Sequence, residues 1–186
     1  MLYDLVLKSR SCRRFDESER IPQDVLSSLC ELARYTPSAA NLQPCKFCLV
    51  TSPEECDAVL SDTRWGGYIK DGFPTEGERP TGYIVILNDS TISKGAPTDV
   101  GIVAQTMFLG ATEKGYGGCM LGSFDNDRIK DKLSIPAHLD ISLILALGKP
   151  IETVVIEDMK DGNVKYWRDE ARIHHVPKRP ISELII

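Results

Sequence analysis

The sequence predicts a layered α+β domain, a central sheet with helices packed against it. Three observations carry that reading. Stretches whose apolar residues recur at helical spacing alternate with short apolar runs of strand character. The strand-like runs are few for a chain of 186 residues. That length suits one domain with, at most, an extended tail.

The elements follow in order. Leu2 to Lys8 reads as a short helix leading into the basic cluster Arg10-Ser11-Cys12-Arg13-Arg14-Phe15. Ile21-Pro22 opens a second helix, with proline where the first turn needs no amide donor. Its residues Val25, Leu26, Leu29, Leu32 and Ala33 share one stripe, and Pro37 stops it, because the residue before proline is pushed out of the helical region. Residues 45–51 form a buried strand, and Pro53 to about Leu60 a helix. Residues 62–81 are rich in glycine and charge, and a loop this long points to a lid or binding loop. Tyr83 to Leu87 is a buried strand. Thr98 to Lys114 is the longest helix, ended by a basic last turn and Gly115. Gly117 to Ser123 is a glycine-rich strand or turn, Asp125 to Leu133 a short helix, and Ile141 to Leu147 a last buried strand closed by Gly148-Lys149-Pro150. The tail from Ile151 ends in Ile181-Ser182-Glu183-Leu184-Ile185-Ile186, too apolar for a solvated end, so it is expected to pack on something.

Lysine plus arginine number 22 and aspartate plus glutamate 27, a net charge of −5. That is the wrong sign for a nucleic-acid binder. No apolar run approaches the roughly 20 residues that cross a bilayer. The start, Met1-Leu2-Tyr3-Asp4, has an early acid in place of a signal peptide's basic-then-apolar pattern. The expectation is a cytoplasmic protein with neither nucleic-acid nor membrane partners. Six cysteines (Cys12, Cys30, Cys45, Cys48, Cys56, Cys119) are too irregular for a disulfide scaffold and read as free thiols. Cys45 and Cys48 form a C-x-x-C, but within a strand, where neighbours at i and i+3 face opposite ways, and no second ligand pair for zinc follows.

The sequence lacks G-x-S-x-G, H-E-x-x-H, G-x-x-x-x-G-K-[ST] and G-x-G-x-x-G. Its three histidines, His138, His174 and His175, have no triad spacing. Chemistry would then come from a cofactor, with no catalytic side chain assigned. Three clusters could hold one. In Arg10-Ser11-Cys12-Arg13, guanidinium forks and a hydroxyl suit a phosphate. In Pro37-Ser38-Ala39-Ala40-Asn41-Leu42-Gln43-Pro44, amide side chains present donors and acceptors to a heteroaromatic edge. In Gly117-Gly118-Cys119-Met120-Leu121-Gly122-Ser123, missing side chains let backbone amides approach a flat ligand. For the first two the bland alternatives are a solvated basic turn and a capped turn.

The order of the clusters resembles the FMN-dependent nitroreductase family along nearly the whole chain. The family's R-x-S-x-R-x-F is matched by Ser9 to Phe15, and its A-P-S-x-x-N-x-Q-P-W by Thr36 to Cys45. Its D-x-G-x-A-x-Q-N helix is matched by Asp99 to Thr106, its G-x-G-x-C-x-x-G turn by Gly115 to Gly122, and A-L-G-x-P by Ala146 to Pro150. A basic pair before proline follows as Lys178-Arg179-Pro180. Ser9 stands where many members carry arginine, and Cys45 where they carry tryptophan.

The resemblance implies a mostly antiparallel central sheet flanked by helices, with residues 1–150 binding FMN. Residues 151–186 would be an extension that wraps a dimer partner and supplies phosphate ligands. Arg10, Lys178 and Arg179 would hold the FMN phosphate, with Ser11 on the phosphate or ribityl. Arg13 would sit at the pyrimidine edge, where its charge stabilises the anionic reduced flavin. Pro37, Ser38, Asn41 and Gln43 would reach the flavin from the second subunit, and the backbone at Leu121 and Gly122 would face N5. The implied activity carries hydride from NADH or NADPH through FMN to a nitroaromatic, quinone or enone-type acceptor. Trp65 or Tyr68 could stack over the flavin or pack beneath the 62–81 loop. Two rivals stay open: a non-catalytic FMN storage protein, and a thiol-redox or metal protein using Cys45 and Cys48.

Overall fold

The computed structural model describes residues 1–186. Helix α1 (Leu2–Lys8) buries none of its residues, and strand β1 (Phe15–Asp16) follows. Helix α2 (Gln23–Arg34) starts after an extended Pro22 and buries Leu26, Leu29 and Ala33. It ends ahead of Pro37, with the backbone leaving the helix at Tyr35. Strand β2 (Cys45–Val50) leads to α3 (Pro53–Ser61), capped by the Ser52 hydroxyl, which accepts from the Glu55 amide at 3.2 Å. Strand β3 (Gly82–Asp89) is buried at every residue. Helix α4 (Pro97–Glu113) carries Pro97 in its first turn. Then come β4 (Gly117–Leu121), α5 (Asn126–Lys132), β5 (Leu139–Pro150), β6 (Val154–Asp158), β7 (Trp167–Arg168) and β8 (His174–Lys178).

Strands β1 to β5 form one sheet in which every pairing is antiparallel: β2 on β3, β3 on β5, and β4 and β1 on β5. The period of two along a strand divides the core into two layers. On one face Ile84, Ile86, Leu145 and Leu147 meet α2 and α4 through Leu26, Leu29, Val103 and Met107. On the other, Tyr83, Val85, Leu87, Ile144 and Ala146 meet Val59, Leu60 and Ile129 of α3 and α5. Each fully buried aliphatic side chain contributes about 1.5–3 kcal/mol, so β3 and β5 anchor the domain. The α+β architecture expected from the sequence is the one observed.

Cys45 packs with the first layer and Cys48 with the second, on opposite faces of the sheet. Burial raises both thiol pKa values, which disfavours the reactive thiolate. Nothing in this placement supports a shared redox or metal role.

Residues 154–178, read from the sequence as part of one extended arm, instead contain a second sheet of order β6-β8-β7, with β6 parallel to β8. Its strands are short and mix apolar with polar residues, which hid them from a search for apolar runs. Beyond it Ile181, Leu184, Ile185 and Ile186 stay exposed. No helix is long and apolar enough to cross a membrane.

Candidate functional site

After α1 the chain runs extended along β4. The Cys12 amide donates to the Gly118 carbonyl at 2.7 Å, and Ser11 bridges Gly118 in parallel register. The basic segment and the glycine-rich strand are thereby brought side by side. A Cβ at Gly118 would lie 2.5 Å from the Ala146 carbonyl oxygen, so this glycine is required by packing inside the sheet. Gly122, beyond the end of β4, has nothing within 4 Å of a Cβ and lies at the surface, while Leu121 is buried.

Arg10 donates through Nη2 to the Val6 carbonyl at 2.8 Å, and its Nε is buried without a partner. Arg13 is buried, yet its Nε and Nη1 have no hydrogen-bond partner, and its guanidinium lies over the Tyr166 ring at 5.0 Å. Unpaired buried donors are costly, so such groups usually have a partner. Here two arginines hold unpaired donors along the same segment. Ser11 is exposed beside them.

A carboxylate the sequence reading missed sits under this segment. The Glu152 side chain is fully buried and accepts the Arg13 amide at 2.7 Å and Arg168 Nε and Nη2 at 2.8 and 2.6 Å. Arg168 also reaches the Asp71 carbonyl and carboxylate, each at 2.9 Å. His174, 1 % exposed, lies 3.6 Å from Glu152, and neither ring nitrogen has a hydrogen-bond partner. Burial outweighs the pull of Glu152 and takes its pKa down to about 4, so the ring is neutral near pH 7. Tyr166 packs edge-on against Tyr68 at 5.1 Å and His174 at 5.4 Å. The 62–81 loop is tied down beside it: Glu78 takes Arg14 Nε at 2.7 Å and Arg172 Nη2 at 3.3 Å. The Arg14 hydrogen bond leads the effects that hold the Glu78 pKa at about 2. Trp65 packs under the loop, its Nε1 donating to the Thr63 hydroxyl at 2.9 Å, whereas Tyr68 joins the aromatic group around Arg13.

The amide loop lies apart from this segment. Its centre is a 3-10 turn, and Ala40, Asn41 and Gln43 all have left-handed backbones, with φ of 49°, 56° and 53°. Such backbones are unfavourable for residues with a Cβ, and they persist only where their surroundings hold them. The holding group is Asp99, buried in the first turn of α4. It accepts the Ser38 hydroxyl at 2.5 Å and the Ala39 amide at 3.2 Å. Ser38 Oγ in turn accepts the Gln43 amide at 2.9 Å, and Gln43 Nε2 donates to the Asn41 carbonyl at 3.1 Å. Pro37, Asn41 and Gln43 are exposed. Ser38 and Asp99 also line an open cavity of about 540 Å³ between α2 and β2. No hydrogen bond or ion pair joins residues 36–44 to residues 9–14. Nor does one join Lys178 or Arg179 to Arg10: Lys178 ends β8 exposed, and Arg179 pairs with Glu183 at 2.8 Å.

The fold defines the class, an α+β domain with helices packed on both faces of an antiparallel sheet. The chain belongs to the nitroreductase family, whose family model matches residues 6–149. Among its relatives, a protein of Methanothermobacter thermautotrophicus provisionally named NADH dehydrogenase/NAD(P)H nitroreductase is 26 % identical over 159 residues, covering 82 % of this chain and 78 % of that one. The crystal structure of a nitroreductase family protein from Streptococcus pneumoniae TIGR4 superposes with a TM-score of 0.73 at 16 % identity, covering 100 % of this chain and 99 % of the other. An FMN-dependent nitroreductase from Clostridium difficile R20291 gives 0.66 at 22 % identity, covering 86 % and 90 %.

Proposed function

We propose that this chain is an FMN-dependent oxidoreductase that takes hydride from NADH or NADPH and delivers it to a nitroaromatic, quinone or enone-type acceptor. The observation that carries the reading is the basic segment strapped to β4, with buried and unpartnered N–H groups on Arg10 and Arg13. A ligand with an anionic group and a planar acceptor edge would satisfy them, and FMN has both. Arg10 and Ser11 would hold the phosphate end, joined by Lys178 and Arg179. Arg13 would donate to the pyrimidine edge, and the backbone beside Leu121 and the open Gly122 would face the ring. The bound flavin supplies the two-electron chemistry, so the chain's own task is to bind, orient and exclude water. The names of the relatives from Methanothermobacter and Clostridium agree with an NAD(P)H donor and an FMN carrier.

The acting unit in this proposal is a homodimer with its sites at the interface. Leu2, Tyr3, Leu32, Tyr35, Leu42 and Ile185 are all exposed on the single chain, apolar surface that a partner subunit would cover. Asn41 and Gln43, which make no hydrogen bond to the Arg10 segment within one chain, would reach the flavin from the partner. A cytoplasmic location fits the free state of all six cysteines. Acid release of the flavin from purified protein tests the cofactor: FMN supports the reading, while FAD, or no flavin after reconstitution, overturns it. Anaerobic mixing with NADH or NADPH then separates catalyst from storage protein, since only a catalyst bleaches.

A further inference from the structure

We propose that Tyr166 is a positioning residue for Arg13, fixing the plane in which its guanidinium meets the bound flavin. The inference rests on the FMN reading above and assigns a role to the C-terminal segment that phosphate binding alone does not require. A guanidinium donates only within its own plane, so whatever covers its face decides where its hydrogen bonds point. The Arg13 Cζ lies over the Tyr166 ring, 5.0 Å from its centroid, so the ring bounds one side of the guanidinium, while Nε and Nη1 stay unpartnered in a buried setting. The two ends of this arrangement are anchored independently. On the arginine side, the Arg13 amide is fixed by Glu152. On the tyrosine side, Arg168, two residues beyond Tyr166, is gripped by Glu152 and Asp71, and the ring is braced edge-on by Tyr68 and His174.

The test compares Tyr166→Phe with Tyr166→Leu, reading the dissociation constant of oxidised FMN and the midpoint potential of the bound flavin. Phenylalanine keeps the covering face, so both values should match the wild type. Leucine removes it, and FMN should bind on the order of tenfold more weakly, the size of a desolvated cation–π contact. The midpoint potential should fall as well, because the anionic reduced flavin depends on Arg13 more than the neutral oxidised form does. A purely structural Tyr166 would alter thermal stability and leave the potential in place. Tyr68→Leu, at an exposed ring, should move both readings the same way by less, and it keeps the test open if Tyr166→Leu fails to fold. Unchanged affinity and potential in the folded leucine variant, or a phenylalanine variant that behaves like leucine, would overturn the proposal. A wild-type protein that takes up no FMN would instead overturn the cofactor reading, and this proposal with it.

Discussion

Replacing Asp99 with asparagine removes one negative charge and almost no volume from the group that holds the amide loop. Hydrogen bonds to a charged acceptor contribute about 1.5–3 kcal/mol each. Asp99 takes two donors, the Ser38 hydroxyl and the Ala39 amide. Against them stands the backbone cost of Ala40 and Gln43 in the left-handed region, roughly 1–2 kcal/mol apiece, with a smaller one for Asn41. The two sums are of similar size, so the clamp and the strain nearly balance. Asp99→Asn should therefore lower unfolding free energy by about 1.5–3 kcal/mol, since one good donor pairing is lost while the slackened loop recovers part of its strain. Urea unfolding at a fixed protein concentration measures it, because association would make the midpoint concentration-dependent. Hydrogen exchange at residues 39–43 should quicken in step. In the same background Ala40→Gly, which removes the Cβ penalty, should restore about 1 kcal/mol. Unchanged stability together with unchanged exchange, or a destabilising Ala40→Gly, would refute this account of the loop.

Gly118→Ala should destabilise by about 1–3 kcal/mol, because its Cβ would strike backbone at 2.5 Å, while Gly122→Ala should leave the urea midpoint unchanged. The pH dependence follows from His174. Its folded pKa, about 4, lies below the usual 6.5, so the unfolded chain binds the extra proton between those values. Stability should fall as pH drops from 6.5 to 4, by on the order of 3 kcal/mol from this group, and His174→Phe should flatten that slope in a pH series of unfolding curves. Carboxylates of Glu157 and Asp169 raise the His175 pKa, so this group adds stability that is full below pH 6.5 and is lost as pH rises above it, and His175→Gln should remove that loss while leaving the acid slope unchanged. Co-expressing an Arg10→Glu chain with an Asn41→Ala/Gln43→Ala chain should recover about a quarter of wild-type activity if each site draws on both subunits; no recovery in mass-verified mixed dimers refutes the shared site. Cys45→Ser combined with Cys48→Ser should still turn over a quinone once folded and loaded with flavin, and failure to do so would revive the thiol reading.

The parts of the fold that were readable from sequence are those where local pattern and burial coincide. The run Tyr83 to Leu87 is apolar throughout because β3 is covered on both faces, and the α2 stripe marks the one face that helix buries. Boundaries slipped where polar residues join a strand: β3 extends to the buried Asn88 and Asp89, and β5 begins at Leu139 and the exposed Asp140, ahead of the apolar run. At the site, the basic cluster, the amide loop and the glycine-rich strand were found through side-chain chemistry and motif order. Glu152, Tyr166 and Arg168 were not, since what makes them matter is contact with residues far along the chain, Arg13 for Glu152 and Tyr166 and Asp71 for Arg168, and nothing in their neighbours signals it. Asp99 stood within a recognised motif, but its task became visible only with the three left-handed residues it restrains. Gly118 was read as making room for a ligand; the room is filled by Ala146 and Phe108 instead.

The seat of Glu152, two residues past the end of β5, sets a sequence of events during synthesis. When Pro150 has left the ribosome, every strand of the five-stranded sheet is present, and both core layers have all their members. The Arg13 amide still lacks its acceptor, and the ring that lies over its guanidinium is sixteen residues from being made. Core completion and pocket completion are therefore separate moments. The stretch that follows carries a parallel pairing of partners twenty positions apart, such as Val154 and His174, a connection that forms more slowly than a tight hairpin. A nascent chain would pass through a stage in which its scaffold is finished and the Arg13 cluster is open on one side, so that, on the FMN proposal, loading would belong to the last act of folding.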